Sequence, residues 1–361
     1  MLPYYIITAL LLIAGVVSLD QKTRKYDFVV LLFLCVIVTI FSGCRACGWD
    51  YDSYLAHFKS LPDILNFSRT QNTMEAGYEV FASFCKSIFH NYNAFLFIFA
   101  AINVFVIGCL CRKYSPNPVL SFVLFCGFSL FGQLMGQMRQ PQAICLTYLI
   151  TLPLLIRNMR WRVAIWTIVI GVLLHKSSLL MAILLPFANI RYSDKTCAIA
   201  AIVCIVSVVT SSMLTNLLYI VVPKGFYLYD TMVAYMTYLS QKVSFTFGML
   251  ERVGLLVLCW YYGRKYKLYD RNIFFRIMMN LFAMGVLIYF SFMQIAPEFA
   301  SRGTKGLYFC IIFILPILIK NAKRRDKSFL SIFTILWISY LYITFLINPP
   351  ELYNPYLSVL D

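Results

Sequence analysis

The feature that most constrains this chain is a succession of long apolar runs separated by short polar connections. A helix that crosses a bilayer needs about 20 mostly apolar residues, with a range of roughly 17–25. We assign twelve such runs, at residues 3–19, 28–43, 94–111, 119–135, 142–156, 163–176, 177–190, 196–222, 247–262, 273–295, 305–319 and 329–347. The sequence therefore predicts an all-α polytopic membrane protein, a single integral membrane domain over residues 1–361.

The composition excludes a water-soluble fold. The 361 residues are 61% hydrophobic and 13% charged, whereas soluble domains average about 45–50% apolar and about 25% charged residues. The first apolar run has no basic segment before it and no small-residue cleavage site after it, so we expect it to be a membrane helix rather than a signal peptide.

The net charge of +16 has a specific distribution. Alternate connections between the runs are basic, and six of them together hold 19 Lys or Arg residues and five acidic ones. Because cytoplasmic loops are enriched in Lys and Arg, we place these six in the cytoplasm and both termini on the outer side. Most of the positive charge is then a signal of orientation, and no nucleic-acid partner is expected.

Three outer segments are long enough to carry structure: a large loop at 44–93, a second loop at 223–246 and a short loop at 296–304 that holds Arg302. The first contains an aromatic and acidic patch with Trp49, Asp50 and Asp52, side chains suited to sugar rings and hydroxyls. The same loop holds Cys44 and Cys47, which could form a disulfide in an oxidising compartment. Neither zinc-type spacings nor glycine-rich phosphate loops occur, and we expect no metal and no cofactor.

Ionisable residues near membrane depth usually face a cavity or a partner. Glu75 and Glu79 lie four residues apart, so on a helix they would share a face and require a cation from elsewhere in the fold or from a substrate. Arg139 stands among several glutamines where a helix begins, and the start of a helix favours anions. We expect Arg139, Arg252, Arg302 and Arg45 to converge over one cavity.

His175 is the histidine flanked closely by two apolar runs, and Lys176, Ser177 and Ser178 follow it at the predicted outer edge. The other two histidines, His57 and His90, lie in the large outer loop, and we expect them to be solvated. An imidazole at a membrane edge is suited to proton transfer.

Four short motifs together resemble the EpsG family, relatives of the Wzy-type polysaccharide polymerases. They are Glu75-x-Gly77-Tyr78, Arg139-Gln140-x-x-Ala143, His175-Lys176-Ser177-Ser178 and an outer Arg302. The number of spans and the large loop after the second span are similar as well. Pro141 departs from the residue that family members often carry within the arginine motif.

The resemblance implies a GT-C-like membrane glycosyltransferase in the bacterial inner membrane, with its active site facing the periplasm. Its donor and acceptor would be oligosaccharides on undecaprenyl diphosphate, and a chain-length regulator is a candidate partner. The growing glycan would move onto a new lipid-linked repeat and release undecaprenyl diphosphate.

For catalysis we predict Glu75, His175 and Arg139. The general base is His175 or one of the two glutamates, with Glu75 ahead of Glu79. For the diphosphate we predict Arg139, Arg302, Arg252 and Lys176, since an arginine guanidinium can donate hydrogen bonds to two phosphate oxygens at once. The predicted sugar-binding residues are Glu79, Tyr78, Trp49, Asp50, Asp52 and Gln140. The alternatives are a flippase or secondary transporter, an O-antigen ligase-like transferase and a membrane acyltransferase.

Overall fold

The computed structural model describes residues 1–68, 74–210 and 247–359. The predicted second outer loop at 223–246 lies outside the described residues, as does the last part of the predicted span at 196–222. Five residues of the large outer loop, 69–73, are outside them too.

The described residues form helices joined by short turns. In chain order they are α1 (Leu2–Val17), α2 (Asp27–Gly43), α3 (Tyr51–Ser60), α4 (Ala76–Phe89), α5 (Tyr92–Tyr114), α6 (Pro118–Ser129), α7 (Arg139–Ile156), α8 (Arg160–Leu174), α9 (Leu179–Leu184), α10 (Asp194–Val209), α11 (Phe247–Lys265), α12 (Leu268–Arg271), α13 (Ile273–Phe292), α14 (Pro297–Tyr308), α15 (Ile311–Asn321) and α16 (Arg324–Ile347). Within the described ranges, β-pairing is limited to a single bridge between Arg45 and Ser358.

Within the described ranges, five helical segments are long and apolar enough to cross a membrane. They are Gln21–Gly43, Tyr92–Tyr114, Ile273–Phe292, Pro297–Asn321 and Arg324–Ile347. The protein is therefore an all-helical polytopic membrane protein, as the sequence predicts. The count of about twelve spans and the likeness to GT-C enzymes stay predictions.

Two predicted spans differ from the observed helices. The run at 177–190 is divided into a 3₁₀ turn, the six-residue α9 and a second 3₁₀ turn that contains Pro186. The helix that contains the start of the run at 305–319 begins earlier, at Pro297, the first residue of α14. Proline is favoured in the first turn of a helix, because the amide hydrogen it lacks would have no partner within the helix there. Arg302 consequently lies on a helix and not in the short outer loop that the sequence predicts.

The described residues divide into two compact units. The first comprises 1–154, 162–179 and 312–361, and the second comprises 155–161 and 180–311. In the first unit α2 packs along α5 at small residues: a Cβ on Gly108 would lie 2.7 Å from the Cys35 sulfur. In the second unit α13 packs along α14 in the same manner at Gly285 and Leu307.

Contacts in the first unit group the helix ends into two sets. At the side of the basic loops, Asn117 donates from Nδ2 to the Ser18 carbonyl at 2.8 Å. At the other side, Arg45 donates from Nε to the Met135 carbonyl at 2.8 Å. The end of α1 and the start of α6 therefore lie on one side of this unit, and the ends of α2 and α6 lie on the other.

A segment after the last helix pairs with the turn that follows α2. The Ala46 amide donates to the Leu357 carbonyl at 2.7 Å, and the Gly48 amide donates to the Leu352 carbonyl at 2.9 Å. The Tyr4 hydroxyl also donates to the Tyr353 carbonyl at 2.8 Å. Residues 351–359, which we call the C-terminal strap, therefore join the ends of α1, α2 and α16.

Candidate functional site

Three of the sequence motifs meet in the first unit around one ion pair. Arg139, the first residue of α7, pairs through Nη1 with the Glu75 carboxylate, which precedes α4. The second Glu75 oxygen accepts the Lys176 amide at 3.2 Å. The Arg139 side chain is 19% exposed and that of Glu75 is 8% exposed. The structure thus identifies the cation that the sequence requires for Glu75.

Aromatic rings hold the guanidinium of Arg139 in place. Its central carbon lies 5.5 Å from the Tyr54 ring centre and 5.4 Å from the Tyr78 ring centre, within the range of cation–π attraction. The Tyr54 hydroxyl also accepts from Nε at 3.2 Å. Tyr54 and Tyr78 belong to an aromatic core formed by α3, α4 and α5, so the site rests on packed helices.

Gly77 explains why the Glu75 motif contains a glycine. A Cβ at this position would lie 2.7 Å from the Leu173 carbonyl oxygen and 2.9 Å from the Leu173 Cβ. Only a glycine lets the start of α4 approach the end of α8 this closely. This approach brings Glu75 to the Lys176 amide.

Glu79 has a different partner from Glu75. Glu75 precedes α4 with an extended backbone, whereas Glu79 lies inside the helix and is 2% exposed. A Glu79 oxygen lies 3.5 Å from Nε2 of His57 on α3. The His57 side chain is 10% exposed, so the expectation that it is solvated is wrong. Burial and the charge of Arg139 lower the pKa of His57, which favours its neutral form.

His175 contacts Ser177, which connects it to the segment that contains Arg139. Its Nδ1 lies 2.7 Å from the Ser177 hydroxyl and accepts the Ser177 amide at 3.2 Å. Gln140 donates to the same hydroxyl at 2.9 Å and is itself buried. The two motif segments are therefore joined directly by the Gln140–Ser177 hydrogen bond, and indirectly through Glu75, which binds both Arg139 and the Lys176 amide.

The predicted sugar-binding residues fall into a buried group and an exposed group. Tyr78, Glu79 and Gln140 are buried in the packing described above. Trp49 is half exposed and lies edge-on to Tyr353 of the C-terminal strap, with ring centres 6.2 Å apart. Asp52, on the first turn of α3, is exposed too.

The second unit holds the other predicted arginines. The Arg252 guanidinium carbon lies 3.9 Å from the Tyr289 ring centre and 5.0 Å from that of Tyr308. The neighbouring Glu251 accepts the Tyr308 hydroxyl at 3.0 Å. Arg302 pairs with Glu298 one turn earlier at 2.7 Å, and both side chains are more than one-third exposed.

The turn after α2 contains Arg45 and the two cysteines, Cys44 and Cys47. Arg45 is fully buried and donates to the Met135 and Ser42 carbonyls. It is therefore a structural residue, and the prediction that it lines a cavity with the other arginines is wrong. Cys44 and Cys47 are both free thiols, and the Cys47 sulfur lies 3.6 Å from the Tyr4 hydroxyl.

Comparison with known proteins tests the resemblance. A search of curated proteins and a search of solved structures gave no significant match. The family model described as the EpsG family matches residues 28–358, which include every motif above. The family predicted from the motifs is confirmed, and the chain belongs to the EpsG family of Wzy-type polymerases.

Proposed function

We propose that this protein polymerises oligosaccharide repeats linked to undecaprenyl diphosphate at the periplasmic face of the bacterial inner membrane. The growing glycan is transferred from its lipid diphosphate onto a sugar hydroxyl of a new lipid-linked repeat. The observation that carries the proposal is the meeting of three motif segments at the Arg139–Glu75 pair in a chain of this family.

The chemistry of the leaving group explains the role of Arg139. As the bond between the sugar and the diphosphate breaks, negative charge develops on a phosphate oxygen, and a fixed guanidinium stabilises it. The rings of Tyr54 and Tyr78 hold Arg139 before substrate arrives, so little reorganisation is needed. Lys176, Arg252 and Arg302 remain proposed partners of the diphosphate.

The acceptor hydroxyl must lose a proton as its oxygen bonds to the anomeric carbon. Glu75 and Glu79 are the candidate proton acceptors in the first unit. Each Glu75 oxygen accepts one hydrogen bond and retains a second lone pair that can receive the proton. The exposed Trp49 and the neighbouring Asp50 and Asp52 are proposed to hold the acceptor sugar.

The test supplies purified protein in nanodiscs with the lipid-linked repeat of its own glycan and measures the ladder of chain lengths. Arg139→Ala should slow ladder formation about 10²–10³-fold, the usual effect of removing one donor to a developing oxyanion. Lys59→Ala is the matched control, because Lys59 is an exposed cation on α3. Transfer to a different acceptor without a ladder would favour a ligase, and lipid movement without new bonds would favour a flippase.

A further inference from the structure

The hydrogen bonds at His175 determine which ring nitrogen carries its proton. The Ser177 amide donates to Nδ1 at 3.2 Å. A backbone amide can only donate, so Nδ1 must present its lone pair and cannot itself hold a hydrogen. A neutral imidazole carries one hydrogen, and here that hydrogen resides on Nε2.

A second donor chain supports the same assignment. Gln140 donates from Nε2 to the Ser177 hydroxyl oxygen at 2.9 Å, and that hydroxyl lies 2.7 Å from Nδ1 of His175. The hydroxyl accepts from Gln140 on one lone pair, and its own hydrogen is available to donate to Nδ1, in agreement with the Nε2–H form. Gln140 is 1% exposed on the first turn of α7, so its amide is shielded from water.

We infer that His175 acts as a neutral Nε2–H hydrogen-bond donor to the diphosphate, and not as the general base that the sequence suggests. A general base needs a free lone pair, and the lone pair of this ring is occupied by Ser177. Ser177 and Gln140 are positioning residues, which act by fixing the tautomer of His175.

The assignment gives a balanced step that rests on the proposed function. The acceptor oxygen bonds to the anomeric carbon, and its proton passes to a carboxylate. The bond from that carbon to the diphosphate breaks, and its electron pair remains on a phosphate oxygen. His175 donates a hydrogen bond to the diphosphate throughout and transfers no proton.

The tautomer can be measured without any substrate. The chain has three histidines, so ¹⁵N-histidine labelling gives few signals, and His57→Gln and His90→Gln assign them. Long-range ¹H–¹⁵N spectra at neutral to basic pH should show His175 in the Nε2–H form. Ser177→Ala should weaken this preference, whereas Ser178→Ala, the matched control, should leave it unchanged. An Nδ1–H form in the unmodified protein would overturn the inference.

Binding and turnover test the donor role. Farnesyl diphosphate, a short soluble mimic of the lipid, should shift the His175 Nε2–H signal, and an unmoved signal at saturation would contradict the role. Glutamine places an amide N–H near the position of Nε2, whereas asparagine places one near Nδ1. His175→Gln should therefore retain ladder formation within about tenfold, while His175→Ala and His175→Asn lose about 10²–10³-fold.

A base and a donor give opposite results in these variants. If His175 were the base, His175→Gln would be as inactive as His175→Ala, because glutamine cannot accept the proton. If no variant and no unmodified protein forms a ladder, the proposed function fails. The tautomer and the farnesyl diphosphate shift would still decide the role of His175.

Discussion

At the scale of single residues, similar ion pairs lie in different environments. Arg139–Glu75 joins two segments far apart in the chain and is largely buried, whereas Arg302–Glu298 joins neighbouring turns of one helix and is exposed. Breaking a buried pair leaves an uncompensated charge, while most exposed pairs contribute little. Only the first pair should determine both stability and activity.

This contrast can be measured with two matched substitutions. Glu75→Gln should lower the free energy of unfolding by about 1–3 kcal/mol, because Arg139 keeps its desolvation cost and loses its carboxylate. Glu298→Gln should lower it by less than about 1 kcal/mol. Denaturant unfolding in detergent measures both, and equal effects would contradict the assignment of Arg139–Glu75 as the structural centre of the site.

At the scale of helices, apolar length and end signals predicted most of what forms. Asn117 accepts the Leu120 amide where α6 begins, and the apolar runs locate α2, α5 and α13 within a few residues. The interruption of the predicted seventh span could not be predicted, because short apolar stretches do not distinguish one long helix from several turns.

The site shows the same limit. The motifs predicted which segments matter, and the sequence required a cation for Glu75 from elsewhere in the fold. Glu75 is the extended residue before α4 and Glu79 lies within the helix, and the two carboxylates have separate partners, Arg139 and His57. Sequence patterns do not resolve at which residue a helix begins, so this separation could not be predicted.

The approach of α4 to α8 gives a prediction at this scale. Gly77→Ala should cost about 1–3 kcal/mol of stability, because its methyl group would overlap Leu173. The rate of ladder formation should fall even where the variant remains folded, because the substitution moves Glu75 away from the Lys176 amide. Gly254→Ala on α11 is the control: among the described residues, no atom beyond its own stretch of helix lies within 4 Å of its Cβ, and alanine should be neutral or stabilising by up to about 1 kcal/mol. Equal losses in both variants would show that the close approach is unimportant.

At the scale of the whole molecule, the predicted orientation depends on the basic loops. The first unit groups its helix ends into two sets, with the C-terminal strap and the Arg139 site in one set and the 18–26 and 112–118 connections in the other. The packing is consistent with the predicted alternation, and the basic loops predict which set faces the cytoplasm.

Reporter fusions test that direction. Alkaline phosphatase, which is active only outside the cytoplasm, should be active when fused after residue 359 and inactive when fused after residue 323. A fluorescent protein that requires the cytoplasm should give the opposite pattern. The reverse result for both reporters would invert the molecule and place the Arg139 site on the cytoplasmic side.

The C-terminal strap has a consequence for how the protein is made. The Tyr356 hydroxyl donates to the Phe41 carbonyl, 315 residues earlier in the chain, and the Gly48 amide donates to the Leu352 carbonyl. A ribosome releases α2 and its turn long before it releases these partners. The Ala46 and Gly48 amides therefore reach these partners only after α16 has been inserted with the correct polarity, so these hydrogen bonds are among the last to form during synthesis.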